Sequence, residues 1–259
     1  MNLISCYQTH STWYKGAEKG STPIGVLWHD TSAGNPELRR YVQPFEGEEN
    51  YDEMIALLGK NKYGNDWNHA ERDAGLNAWI GKLADGSVAT IKAGEWDIHP
   101  WGCGGGTKGS CNGYIKTGSV VTWVNQHWIQ FEICDDGYKD KTYFDKVYKE
   151  AVEFTAYICD LYNIDPLGTV SFSGVTVPTI LCHQDAYKLK LGSDHSDVLK
   201  WFKQFGKTMQ DVRNDVYTIL KNQKAEYFVK IGGFGTKAEA EKVQAALKVL
   251  GTDSTIIEK

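Results

Sequence analysis

The sequence predicts an α/β fold, a mixed β-sheet flanked by helices, with a small C-terminal βαβ module behind it. Three observations predict it. Short β-prone apolar runs alternate with segments of helical periodicity, two of the runs are joined by a tight turn, and a polar link near residue 221 precedes a last strand–helix–strand pattern. At 259 residues, against roughly 150 residues per domain, the chain divides into one large domain at 1–220, a link at 221–225 and the module at 226–259.

Pro23–Trp28 (PIGVLW) is bounded by Ser21-Thr22 and by Asp30-Thr31-Ser32, the pattern of a buried strand with His29 at its C-terminal end. Pro36–Tyr41 and Asp52–Gly59 have helical character, and Lys60–Asn68 is rich in turn residues. Leu76–Ile80 and Ser87–Lys92, split by Ala84-Asp85-Gly86, read as a hairpin. Gly94–Gly118 is too long and too Gly-rich for a scaffold element and reads as a rim or binding loop. Trp128–Cys134 (WIQFEIC) alternates as a strand that carries Glu132. Thr142–Tyr162 repeats apolar residues at helical spacing, with Asp165-Pro166 beyond its end. Val175–Leu181 is a further apolar run, ending at Cys182-His183, and Ser196–Gly206 is helical in pattern.

In the tail, Glu226–Phe234 and Thr255–Ile257 read as strands around a helix. Thr236 and Glu239 make a T-x-x-E capping box, Ala240, Val243, Leu247 and Leu250 form the apolar face, and Gly251 is the stop. A core rarely stands alone below roughly 40 residues, so this module is expected to pack on the main domain or on another copy.

Composition narrows the function classes. Hydrophobic residues make up 41% and charged residues 24%, with 27 Gly and 6 Pro, which is globular rather than collagen-like or disordered. A net charge of −5 gives no global positive field for nucleic acid or an anionic membrane, and no local basic patch stands out along the chain. No run approaches the roughly 18 apolar residues of a spanning helix. The first residues, MNLISCYQTHSTWYKG, lack a basic region followed by an apolar stretch. A protein made in the cytoplasm without a signal peptide is therefore expected. Six cysteines are expected to be mostly reduced and buried. Nine Trp and fourteen Tyr suit sugar and peptide surfaces, and equally an ordinary core.

A zinc hydrolase needs three fixed protein ligands and one open position, drawn from strand ends and loops. His29 and His183 end apolar runs, and His195 lies in a loop before a helix. Placement alone leaves a ligand set and three ordinary satisfied histidines evenly matched.

Motifs add to this. VLWHDTSAG (Val26–Gly34) resembles the first metal-ligand motif of zinc-dependent N-acetylmuramoyl-L-alanine amidases of the peptidoglycan-recognition-protein type. WIQFEIC is similar to the strand bearing the catalytic Glu in bacterial and phage members, and LCHQDAYKLKLGSDHSDV (Leu181–Val198) resembles the closing motif. IGKLADGSVAT, LRRYVQP and KTYFDKVYKEAVEFTAYICDLYNIDPL look most like clostridial and clostridial-phage endolysins, so the resemblance spans residues 20–210 in order. It implies an amidase fold, Zn2+ held by His29, His183 and His195, and Glu132 as general base. The implied reaction is hydrolysis of the bond between N-acetylmuramic acid and L-Ala of peptidoglycan by zinc-activated water. It also implies a phage lysis enzyme, or a host autolysin, that acts on the cell wall after release.

Departures from the family pattern qualify the residue roles. Many relatives use Cys or Asp as third ligand, and Asp194 adjoins His195, the favoured candidate. Many place a basic residue two positions before that ligand to stabilise the oxyanion. Here Ser193 stands there, with Lys188 or Lys190 as substitutes. HPWGCGGG resembles the substrate-side loop, with Gly102 where relatives often have His, which makes His99, Trp101 and Lys190 the expected substrate contacts. Cys103 and Cys111 form a disulfide, a second metal pair or two free thiols. The tail resembles half of a SPOR-type peptidoglycan-binding domain, so two chains are expected to exchange tails as a homodimer, or one tail to dock on its own domain. A non-catalytic peptidoglycan binder and a zinc endopeptidase are the competing functions.

Overall fold

In the computed structural model, residues 1–104, 123–172, 174–223, 233–249 and 256 are described, and the chain divides into two units, 1–223 and 224–259. In chain order the first unit contains β1 (Leu3–Ser5), α1 (Thr12–Gly16), β2 (Gly25–Asp30), a 3-10 turn (Leu38–Arg40), α2 (Tyr51–Leu58), β3 (Ala78–Lys82) and β4 (Val88–Lys92). After these come α3 (Trp123–His127), β5 (Trp128–Ile133), α4 (Lys141–Leu161), β6 (Thr169–Phe172), β7 (Val175–Pro178), β8 (Ile180–Cys182), α5 (His183–Lys188), α6 (Leu199–Gln204) and α7 (Met209–Gln223). In the second unit, α8 spans Lys237–Val249.

Six strands form one sheet in the order β1-β4-β3-β5-β2-β8. Every neighbouring pair is parallel except the hairpin β3–β4. This is the mixed, mostly parallel sheet flanked by helices that the alternation of strand-like and helical segments implies. β2 is buried at all six positions, as a central parallel strand covered on both faces must be. Its first residue must be glycine. A Cβ on Gly25 would lie 2.0 Å from Trp128 Nε1, which crosses over it to donate to the Thr179 carbonyl at 3.0 Å.

Helix α4 begins at Asp140, whose side chain accepts from the Thr142 amide, an N-cap that satisfies one of the orphan donors of the first turn. Its apolar stripe, including Phe144, Val147, Ala151, Phe154 and Ile158, packs on Val26, Trp28, Ile129, Phe131 and Ile133 of β2 and β5. Phe131 meets both Trp28 and Phe154 edge to face, with ring centroids 5.1 and 5.2 Å apart.

Several segments differ from the sequence expectation. Val175–Leu181 is not one strand. Its first part pairs with β6 in a separate two-stranded sheet, and β8 joins the main sheet after Thr179, whose hydroxyl donates to the Asp165 carbonyl. Pro178 has no N–H to continue a ladder across that point. The helix expected at Ser196–Gly206 is the six residues of α6, and Pro36–Tyr41 contributes only the 3-10 turn. Helix α7 is unanticipated although Met209, Val212, Val216 and Leu220 recur at helical spacing and are buried. Arg39, Arg40, Lys60 and Lys62 line a common cavity of about 500 Å3. This basic patch escapes a linear reading because its residues come from the 3-10 turn and the segment after α2.

The tail capping box forms. The Glu239 amide donates to Thr236 Oγ1 at 3.3 Å and the Thr236 amide to Glu239 Oε2 at 3.2 Å. The expected strands beside α8 lie outside the described residues except for 233, 234 and 256, as does Cys111. Cys6, Cys134, Cys159 and Cys182 are buried free thiols. Among the described residues, no helix is long and apolar enough to cross a membrane.

Candidate metal centre

Register across the sheet assembles the site. Glu132 of β5 is paired with Trp79 of β3 on one side and with His29 of β2 on the other. Trp28 is paired with Cys182 of β8, so His183 follows the last rung beside His29. The chain after β2 is held by Asp135, whose carboxylate accepts from Thr31 Oγ1 and from the Ala33 and Gly34 amides. That accounts for the Thr/Ser-rich turn after His29.

Three side-chain atoms converge. His29 Nδ1 is 3.0 Å from Asp197 Oδ2 and 3.1 Å from His183 Nδ1, and His183 Nδ1 is 3.6 Å from Asp197 Oδ2. All three residues are buried. A tetrahedral zinc with ligand bonds near 2.0–2.1 Å separates its ligand atoms by roughly 3.3 Å, so the triangle has the dimensions of one face of such a site. Two imidazole nitrogens and one carboxylate oxygen are also a donor set that zinc takes. The residues fit the metal that the fold family implies.

Each ligand's other polar atom is occupied. His29 Nε2 is 3.1 Å from Gln130 Oε1, and His183 Nε2 is 2.9 Å from Ser193 Oγ. Outer partners of this kind orient metal-binding imidazoles. Burial pushes the His183 pKa down to about 4, which keeps the ring neutral, the form that binds metal. Burial raises the Asp197 pKa, but its hydrogen-bond and charge interactions with His183 and His29 outweigh it and hold the carboxyl well below the usual range.

Glu132 Oε2 is sealed from solvent and has no hydrogen-bond partner among the described residues. Burial, followed by the charges of Asp197, Asp30 and Asp135, holds its pKa well above the ordinary glutamate value. A buried carboxylate oxygen with no partner costs stability. Such an atom on the site face is poised to take a proton.

The geometry brings His29, His183 and Glu132 together and adds Asp197, which the sequence reading passed over. His195 stays outside the trio. Its side chain is 61% exposed against 4% for His183, its ring stacks on His183 at 4.6 Å, and its Nδ1 is 3.8 Å from Asp197 Oδ1. The segment Asp194-His195-Ser196-Asp197 offers three candidate ligands within four residues, and the backbone path selects Asp197 for burial. His195 stands two positions before Asp197.

The expected substrate contacts are His99, Trp101 and Lys190. His99 is buried, with Nε2 2.6 Å from Ser21 Oγ, and burial lowers its pKa. Trp101 is half-buried, its ring so close to Gly16 that a Cβ there would lie 3.1 Å from it. Lys190 is exposed, in a left-handed conformation with φ 62°.

Residues 20–197 match the family described as N-acetylmuramoyl-L-alanine amidase. Among solved structures, the chain is similar to the Staphylococcus aureus hydrolase AmiA, determined in complex with its ligand, at 18% identity and TM-score 0.51 over 88% of both chains. PlyL is similar at 13% identity and TM-score 0.45, covering 83% of this chain and 96% of its own. The PlyG catalytic domain gives 14%, 0.46, 83% and 96%. At these identities the AmiA likeness is one of fold. No curated protein matches the chain.

Proposed function

Because the chain belongs to the N-acetylmuramoyl-L-alanine amidase family, we propose that it hydrolyses the amide between N-acetylmuramic acid and L-Ala of peptidoglycan, with zinc held by His29, His183 and Asp197. The observation that carries this is the triangle of Nδ1, Nδ1 and Oδ2 atoms 3.0 to 3.6 Å apart. When bound, zinc supplies Lewis acidity toward the scissile carbonyl and toward water.

The side chains supply the rest. Glu132 Oε2 takes a proton from the attacking water as its oxygen bonds to the carbonyl carbon. It then passes that proton to the nitrogen of the departing L-Ala as the C–N bond breaks. His195, exposed and stacked on His183, stands where an N–H can meet the carbonyl oxygen as it gains negative charge. The Asp197 carboxylate, one of the two anionic groups beside the imidazoles, lowers the net charge of the centre without leaving a buried anion unpaired.

We extend the proposal to the tail as a half-SPOR module that binds wall or pairs with a second copy. The half-buried state of Ala240, Val243 and Leu247 on α8 supports a covering partner. Sedimentation of the full chain at micromolar concentration tests pairing, and a monomer there refutes the homodimer. Action on the wall after release completes the proposal.

The central test combines bound-metal analysis, turbidity of purified walls and product chemistry for the wild type, Glu132→Ala and His183→Ala. One zinc per chain, new L-Ala amino groups on intact glycan, and loss of lysis in both variants with metal retained only in Glu132→Ala are expected. Cleaved peptide cross-links would make the enzyme an endopeptidase. Wall binding without products or metal would make it a binder.

A further inference from the structure

His29 has two acceptors competing for its ring proton, and the chain of groups behind one of them decides the outcome. Asp197 Oδ2 faces Nδ1 at 3.0 Å, and Gln130 Oε1 faces Nε2 at 3.1 Å. Left to Asp197 alone, a neutral ring would keep its proton on Nδ1, the atom that must instead offer a lone pair to a metal.

The polarity of Gln130 is set from backbone groups that cannot be reversed. The Cys103 amide donates to Asn125 Oδ1 at 3.0 Å, and Asn125 Nδ2 donates to the Gly104 carbonyl at 2.8 Å. One fixed donor and one fixed acceptor leave Asn125 a single orientation. Its Oδ1 then accepts from Gln130 Nε2 at 2.8 Å, which turns Gln130 Oε1 toward His29. An amide oxygen only accepts, so Nε2 of His29 must be the N–H. His29, Asn125 and Gln130 are all at most 1% exposed, so water does not substitute for any link.

Gly102 makes the room. A Cβ there would lie 2.5 Å from Gln130 Oε1 and 3.3 Å from His29 Nε2. The other histidine has no such device, because the Ser193 hydroxyl beside His183 Nε2 both donates and accepts.

We propose that Asn125 and Gln130 are positioning residues that form a one-way amide relay, fixing His29 as the Nε2–H tautomer so that Nδ1 presents its lone pair to the metal. The proposal rests on the zinc reading of the centre for its consequence, but the tautomer itself is measurable without metal.

The test uses the full chain. Long-range 1H–15N correlation spectra of the metal-free protein report the protonation of His29, and competition with a chromophoric chelator reports affinity for zinc alone. Wild type is expected to carry a proton on His29 Nε2 and none on Nδ1, and a ring protonated on both overturns the tautomer. Gln130→Leu and Asn125→Leu are expected to lose it and to bind zinc roughly 10–100-fold more weakly. Asn125→Asp keeps an acceptor for both Cys103 and Gln130 and, protonated on the oxygen that faces the Gly104 carbonyl, replaces the lost N–H donor; it is expected to keep the Nε2 proton and affinity within a few-fold of wild type.

An unprotonated Nε2 in the wild type overturns the relay, and so does wild-type affinity in both leucine variants. Equal weakening in Asn125→Asp and Asn125→Leu assigns Asn125 to packing and overturns it too. Failure of folded wild type to take up zinc, with the Nε2 proton present, rejects the metal reading while upholding the tautomer.

Discussion

Strand β5 turns Ile129, Phe131 and Ile133 toward α4 and turns Gln130 and Glu132 toward the ligand cluster. On the first side every side chain is apolar and meets other apolar groups, so burial and edge-to-face ring contacts add directly to stability. On the second side Glu132 Oε2 is buried without a partner, and three lone-pair-bearing atoms crowd within 4.8 Å. One strand therefore holds both the residues that secure the fold and the residues that strain it. The difference teaches that the face packed on α4 secures the fold, while the hydrogen bonds on the other face orient the site residues without making their burial cheap.

Removing zinc gives the largest expected effect. A chelator should abolish wall lysis while the near-ultraviolet dichroism of the α4-side aromatics stays native. Collapse of that signal on chelation would mean that the two faces are not energetically separate.

Glu132→Gln should lower the lysis rate by roughly 10²–10⁴-fold, with zinc content unchanged and a denaturation midpoint equal to or above wild type. A clear loss of stability would give Glu132 a structural role instead. Phe131→Ala, its neighbour on the opposite face, should cost about 3–5 kcal/mol in urea unfolding. The fraction still folded should keep its zinc and its specific activity. Ser193→Ala is the smallest. Loss of one hydrogen bond to His183 should cost roughly 1 kcal/mol, read as a few-fold weaker zinc affinity by chelator competition.

Much of this was legible in the sequence. The runs at residues 23–28 and 128–134, the hairpin and the long helix all carry periodicities that solvent exclusion imposes directly. His29 and His183 stood out because each ends an apolar run, where a parallel sheet delivers side chains to a cleft.

Asp197 did not stand out. It lies in a segment dense in polar residues, and its burial follows from a backbone path anchored by distant groups, such as the Ser193 amide on the Cys103 carbonyl. Gln130 and Asn125 were invisible for another reason, since uncharged amides have no chemistry of their own. The period of two in β5, which puts Gln130 on the face of Glu132, was the available signal. The basic patch was hidden because its four cations belong to two separate segments.

The ligand atoms come from residues 154 and 168 positions apart in the chain. Contacts of such separation close late in folding, after the loop-closure cost of bringing distant strands into register has been met. A nascent chain that ends before Asp197 holds two histidines and no carboxylate between them. On the zinc reading proposed above, metal capture therefore waits until all three segments are in register, and a chain cut before Asp197 is expected to bind zinc weakly and to leave walls intact.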